Sequence, residues 1–165
     1  MSKMDMQAAY KQAFARLGHL TPLSMDCGLL CGKRCCKGSE GDGMILFEGE
    51  EAQSRAFSVS DMDMLGHQVR FLVCKGFCRR ETRPLSCRIY PLAPYLDKEG
   101  NLSIIPDPRA SYRCPILPQD MAQVMDPRFY QAVEDVFTGL LEVEGFRPML
   151  EAFTKMLDVY KRWVK

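Results

Sequence analysis

Apolar residues recur at helical spacing at both ends of the chain. Near the N-terminus Met6, Tyr10, Ala13/Phe14 and Leu17 share one face of a helix expected over residues 4–17, and Gly18 interrupts the pattern. Near the other end Asp126-Pro127 makes a strong helix start, with Asp as N-cap and Pro at the first helical position. Phe129, Val133, Val136/Phe137 and Leu140/Leu141 then form one stripe, which Gly145 is expected to end. A second stripe (Leu150, Phe153, Leu157, Tyr160, Val164) predicts a helix from about 147 to 163.

The middle reads differently. Met44 to Phe47 and residues 69–74 (Val-Arg-Phe-Leu-Val-Cys) are short apolar runs suited to strands. Ser60 with Asp63 resembles a capping box, so a short helix before Gly66 is expected there. Seven of the ten prolines lie between residues 84 and 118. Each fixes φ and removes a donor, which argues against long helices or central strands. The expected fold is α+β and mainly helical. An irregular cysteine-rich metal-binding centre with a few short strands is flanked by an N-terminal helix and a C-terminal helix pair.

The 165 residues suit one domain over 1–165, with a cysteine core at about 27–115 and the helical pair at about 126–164. A formal net charge of +1 removes the bulk electrostatic case for nucleic acid. No stretch approaches the ~18 uninterrupted apolar residues of a membrane span. The first twenty residues interleave Lys3, Asp5, Lys11 and Arg16 with apolar ones, unlike a signal peptide. The expected compartment is the cytoplasm, where structural disulfides are rare.

That setting gives weight to the eight cysteines, Cys27, Cys31, Cys35, Cys36, Cys74, Cys78, Cys87 and Cys114. The first four fall within ten residues as C-x3-C-x3-C-C, and the next three as C-x3-C-x8-C. Thiolates sharing an ion must converge within a few ångströms, and ligands close in sequence do so at low entropic cost. The segments 27–37 and 74–88 hold eight basic residues (Lys33, Arg34, Lys37, Lys75, Arg79, Arg80, Arg83, Arg88) against one acid, Glu81. Positive neighbours lower a cysteine's pKa and favour its metal-binding form. A solvated basic face or a docking patch for an anionic partner are the other readings of the same charges.

The metal is left open between iron and zinc. Zinc sites often use a C-x2-C knuckle, and the chain has none. A [4Fe–4S] cluster also takes four cysteines, at more varied spacings. Eight cysteines permit two four-cysteine sites, one site with spare thiols, or shared ligands. Adjacent Cys35 and Cys36 have diverging side chains, so they either serve two sites or one of them packs inertly.

Cys31-Gly32 with Cys35-Cys36, and Cys78 to Leu92 (CRRETRPLSCRIYPL), resemble the YkgJ-like cysteine cluster family, described as a zinc- or iron-chelating domain. The likeness rests on a Cys…Arg-Pro-x-x-Cys-Arg-x-Tyr-Pro signature and covers residues 27–115. All eight cysteines have a counterpart. Gly43-Met44 through Phe47 and Glu50, with Cys114-Pro115, are similar to a subgroup carrying GM-x-LF-x-GE. Both first gaps here are x3, where the family often has a shorter one. The resemblance implies metal binding. Flagellin lysine N-methylases carry a similar cluster, associated with an iron–sulfur centre. Their reaction is not carried over, because no Gly-rich strand-to-helix turn offers a methyl-donor pocket.

Arg83, Arg88 and Tyr90 are expected to orient the metal thiolates, Arg88 because it adjoins Cys87. Tyr90-Pro91 and Tyr95 are expected to wall the site. His19 and His67 read as packing or surface residues, and Glu40, Asp42, Glu48, Glu50 and Glu51 as a solvated acidic loop. The functional readings are therefore a thiolate protein holding iron (as an iron–sulfur cluster) or zinc, a cluster-dependent redox or group-transfer enzyme, or a metal-stabilised interaction module. The sequence names no protein partner.

Overall fold

The computed structural model describes residues 5–37, 42–50, 57–117 and 120–164. Chain order runs from α1 (Met6–Leu17) through the one-turn α2 (Gly28–Cys31) and a 3₁₀ turn (Arg34–Cys36) to strands β1 (Gly43–Leu46), β2 (Phe57–Met64) and β3 (His67–Cys74). A second 3₁₀ turn (Arg80–Thr82) leads into α3 (Leu85–Ile89), then β4 (Leu92–Leu96) and β5 (Leu102–Pro106). After a third 3₁₀ turn (Pro108–Ala110) come α4 (Met121–Val124), α5 (Pro127–Leu141) and α6 (Phe146–Trp163). Helices and antiparallel strands thus make an α+β structure. Among the described residues no helix is long and apolar enough to cross a membrane.

The terminal helices follow the predicted stripes. Ala9, Tyr10, Ala13 and Leu17 bury one face of α1, and Gly18 closes it by donating to the Phe14 carbonyl at 3.0 Å. Asp126 caps α5, its carboxylate accepting from the Arg128 amide at 2.9 Å, with Pro127 at the first position. That helix ends at Leu141, before Gly145, and Gly145 serves instead as the N-cap of α6 at φ 90°. The buried stripe of α6 runs from Phe146 to Leu157, so Tyr160 is exposed rather than in the core.

β1, β3 and β2 pair antiparallel in that order, with Leu72 of β3 between Met44 and Val59. The short helix expected at Ser60–Asp63 is absent, because these residues belong to β2. Asp63 accepts from the Gly66 amide at 3.1 Å and from the Gln68 Nε2 at 3.0 Å. The same side-chain chemistry that caps a helix here holds a two-residue hairpin turn, with Leu65 and Gly66 both at positive φ. The proline-rich stretch also contains a hairpin, β4–β5. A two-stranded sheet consists only of edges, which lets it carry Pro94 and Pro106.

The core joins the two halves. Phe47, just after β1, meets Phe137 of α5 at a ring-centroid distance of 5.2 Å and Phe153 of α6 at 5.4 Å. Thr154 of α6 accepts from the Leu96 amide of β4 at 3.1 Å, and Tyr10 of α1 donates to the Glu48 carbonyl at 2.7 Å. The cysteine-bearing segments are laid on this frame.

Candidate metal centre

Separate stretches of chain deliver the cysteines. Cys27 and Cys31 bracket α2, with the Cys31 amide donating to the Cys27 carbonyl at 3.4 Å. Gly32 and Lys33 are both left-handed and reverse the chain into the turn that holds Cys35 and Cys36. Cys74 ends β3, and Cys78 follows in the next loop. Cys87 sits within α3, and Cys114 follows the turn after β5. All eight cysteines line one cavity of about 720 Å³. Every one is a free thiol. Ile45, Phe71, Leu72 and Ile116 give that cavity an apolar wall, while Arg80, Arg83, Arg109 and Arg113 give it a basic one.

A buried carboxylate fixes the entry to α3. Glu50 is 4% exposed, accepting from the Phe47 amide at 3.2 Å and from the Leu85 amide at 2.5 Å. Burial pushes its carboxyl up to about 7, although the two amides and Arg88 pull it back. The solvated-loop reading fails for Glu50, which pins the loop after β1 to the helix that carries Cys87. Its signal in the sequence was the Gly-Glu pair directly after an apolar strand. Glu40 and Glu51 lie outside the described residues.

The lowering expected from the basic residues is outweighed by burial at several of the thiols. Lys33, Arg34, Lys37, Lys75 and Arg79 are exposed. Burial raises the Cys27 thiol, helped by Cys31 and Cys114. It also raises Cys78, against the pull of Arg83, and Cys114 beside Cys31. Cys87 is pushed well up by burial and by Cys36, Cys78 and Cys74. Cys35 runs the other way, lowered chiefly by its hydrogen bond with Cys36, and that bond drives Cys36 strongly up. Crowded thiols resist ionising together, which favours their protonated forms.

The three residues expected to orient the thiolates behave differently from one another. Arg83 donates from Nε to the Cys78 sulfur at 3.4 Å. Arg88 turns away from sulfur. Its guanidinium donates to the carbonyls of Arg83 at 3.1 Å and Glu81 at 2.8 Å, and stacks over the Phe14 ring at 4.5 Å. Tyr90 lines the cavity with its hydroxyl buried and lacking a hydrogen-bond partner. Burial raises that phenol, as do the neighbouring Cys114 and Cys35. Pro91 is also on the wall, whereas Tyr95 is elsewhere, donating to Asp158 at 2.9 Å. Neither His19 nor His67 lines the cavity. Arg113, which composition did not single out, reaches the wall and pairs with Asp42 at 2.5 Å.

As the side chains stand, no group of three or more Cys, His, Asp or Glu among the described residues is close enough to hold a metal ion. The donor chemistry fits one all the same: soft, unpaired thiols, an apolar wall that lowers the local dielectric, and a buried phenol with an unused donor. No family model, no curated protein and no solved structure matches this chain.

Proposed function

We propose that this chain is a cytoplasmic thiolate metalloprotein of the YkgJ-like kind, holding zinc or an iron–sulfur cluster with its clustered cysteines. One observation carries the reading: eight cysteines from positions spread over residues 27 to 114 line a single cavity, and none is oxidised to a disulfide. Crowding eight thiols and paying their desolvation is unfavourable without a cation to share them. Four thiolates on zinc, or on a [4Fe–4S] core, resolve that conflict. The metal would supply cross-links between the cysteine segments and, if it is an iron–sulfur cluster, an electron reservoir.

Metal binding then contributes directly to folding. A structural thiolate site is worth about 10–16 kcal/mol at neutral pH. Stripping the metal with a chelator under reducing conditions lowers the thermal midpoint by more than about 10 °C, since each kcal/mol moves a chain of this size by about 2–4 °C. The stripped protein returns eight thiols on titration. An unchanged midpoint with no metal released rejects the reading.

The cavity volume favours one alternative. About 720 Å³ lies within the ~300–1,000 Å³ range of small-molecule pockets and exceeds what ions alone need. A cluster-dependent redox or group-transfer enzyme would use that room for a substrate. Absorbance near ~400 nm that a reductant bleaches favours a cluster over zinc.

A further inference from the structure

Arg80, Arg83, Arg88, Arg109 and Arg113 line the large cavity, and the last three are fully engaged. Arg109 pairs with Asp107 at 2.6 Å and Arg113 with Asp42 at 2.5 Å. Arg88 is held by two carbonyls and the Phe14 ring. Among the described residues, Arg80 and Arg83 have no carboxylate within ion-pair distance. Arg80 gives one terminal nitrogen to the Leu20 carbonyl, and its enclosed Nε has no acceptor. Arg83 gives its Nε to the Cys78 sulfur at 3.4 Å, which leaves its two terminal nitrogens for a ligand.

The backbone holds these two arginines side by side. They bracket the 3₁₀ turn Arg80–Thr82, with the Arg83 amide donating to the Arg80 carbonyl at 3.1 Å. Side chains three apart on such a turn eclipse each other, so both guanidiniums leave it in the same direction. A second cavity of about 410 Å³ adjoins the first, and Thr21, Leu23, Asp26, Arg80 and Arg83 line both. Asp26, the acid in this partition, turns its carboxylate to the Gly28 amide at 2.9 Å. The pair therefore brings two positive charges together with no acid paired to either. An enclosed donor without an acceptor is costly, and a missing ligand is one cause of it.

We infer that Arg80 and Arg83 bind the head of a small organic anion, a carboxylate or a phosphate monoester, whose apolar body lies along Ile45, Phe71, Leu72 and Ile116. The planar guanidinium fork matches the paired oxygens of such a head. The four apolar residues belong to the wall of the same cavity, which has room for the rest of the molecule. Arg83 touches the Cys78 sulfur as well, so the anion is set beside the thiols. The inference rests on the metalloprotein reading for what the anion is presented to, while its binding calls on the arginines alone.

The test titrates octanoate and monooctyl phosphate calorimetrically into the full-length protein as purified, with octanol as the uncharged chain of the same length. At least one of the two anions binds, and octanol binds more weakly by about tenfold or more. The head that binds more tightly names the class. Arg80→Gln and Arg83→Gln each weaken anion binding by about tenfold or more, the loss of a charge-assisted hydrogen bond. Arg79→Gln changes an exposed neighbour and leaves the affinity as it was. Arg80→Lys keeps the charge without the fork and falls between. Thermal midpoints like the parent's show that the variants are folded, and the comparison of octanoate with octanol needs no variant. Equal binding of anion and alcohol, undiminished binding by both glutamine variants, or binding of neither anion overturns the inference. Anion binding by protein free of zinc and iron upholds the arginine site and overturns the metal reading. Metal-loaded protein that takes up neither anion does the reverse.

Discussion

Glu50 places a titratable group where the fold can least afford a bare charge. Its carboxylate is enclosed and satisfied by two backbone amides, and burial still raises it from 4.5 to about 7. The folded state therefore prefers the protonated form. Its contribution to stability is complete below pH 4.5 and is lost as pH rises to about 7. Glu50→Gln keeps an acceptor that cannot ionise. Measured side by side from pH 4.5 to 8, the variant gains on the parent by on the order of 3 kcal/mol up to pH 7, and the gap is then flat. Parallel profiles would contradict this assignment. Counting charges could not find this residue. Glu48 and Glu50 look alike in composition, yet Phe47 enters the core and the turn at Gly49 folds Glu50 beneath it. The thiols were legible as candidates, but their state was not. Lys33, Arg34, Lys37, Lys75 and Arg79 are exposed, burial outweighs Arg83 at Cys78, and burial raises Cys27 and Cys114 as well.

Element by element, the signals that survived were those in which local chemistry and burial agree. Asp126-Pro127 satisfies the first amides of α5 whatever surrounds it, and the stripe from Phe129 to Leu140 tells which face is covered. The Ser60–Asp63 pair failed because an aspartate caps a hairpin turn as readily as a helix, and only the pairing of β2 with β3 decides between them. The proline run was read correctly as unsuited to central strands. What it hid was the β4–β5 hairpin, whose place depends on a distant helix. Thr154 supplies that link, since its hydroxyl oxygen satisfies the buried Leu96 amide. Thr154→Val retains the shape and leaves the amide orphaned, so it destabilises by about 1–3 kcal/mol in chemical denaturation. A change under about half a kcal/mol would mean that the link is unimportant.

Over the whole molecule, the cysteine spacing fixed the local groups and left their meeting to tertiary structure. The x3 gaps explain why Cys27 approaches Cys31. They do not explain why Cys114, more than eighty positions later, belongs beside them, or why Cys87 comes to the loop after β3. Those encounters follow from the frame that packs α5 and α6 against Phe47 and pins α3 through Glu50. The frame explains how the thiols come to line one cavity, and the proposed ion would account for their being kept there reduced. The most direct measurement is elemental analysis, with acid-labile sulfide, of the full chain purified without oxygen. The account predicts zinc, or iron with matching sulfide, bound in stoichiometric amount. Protein that arrives free of both metals, with its cysteines reduced and its fold intact, would contradict it.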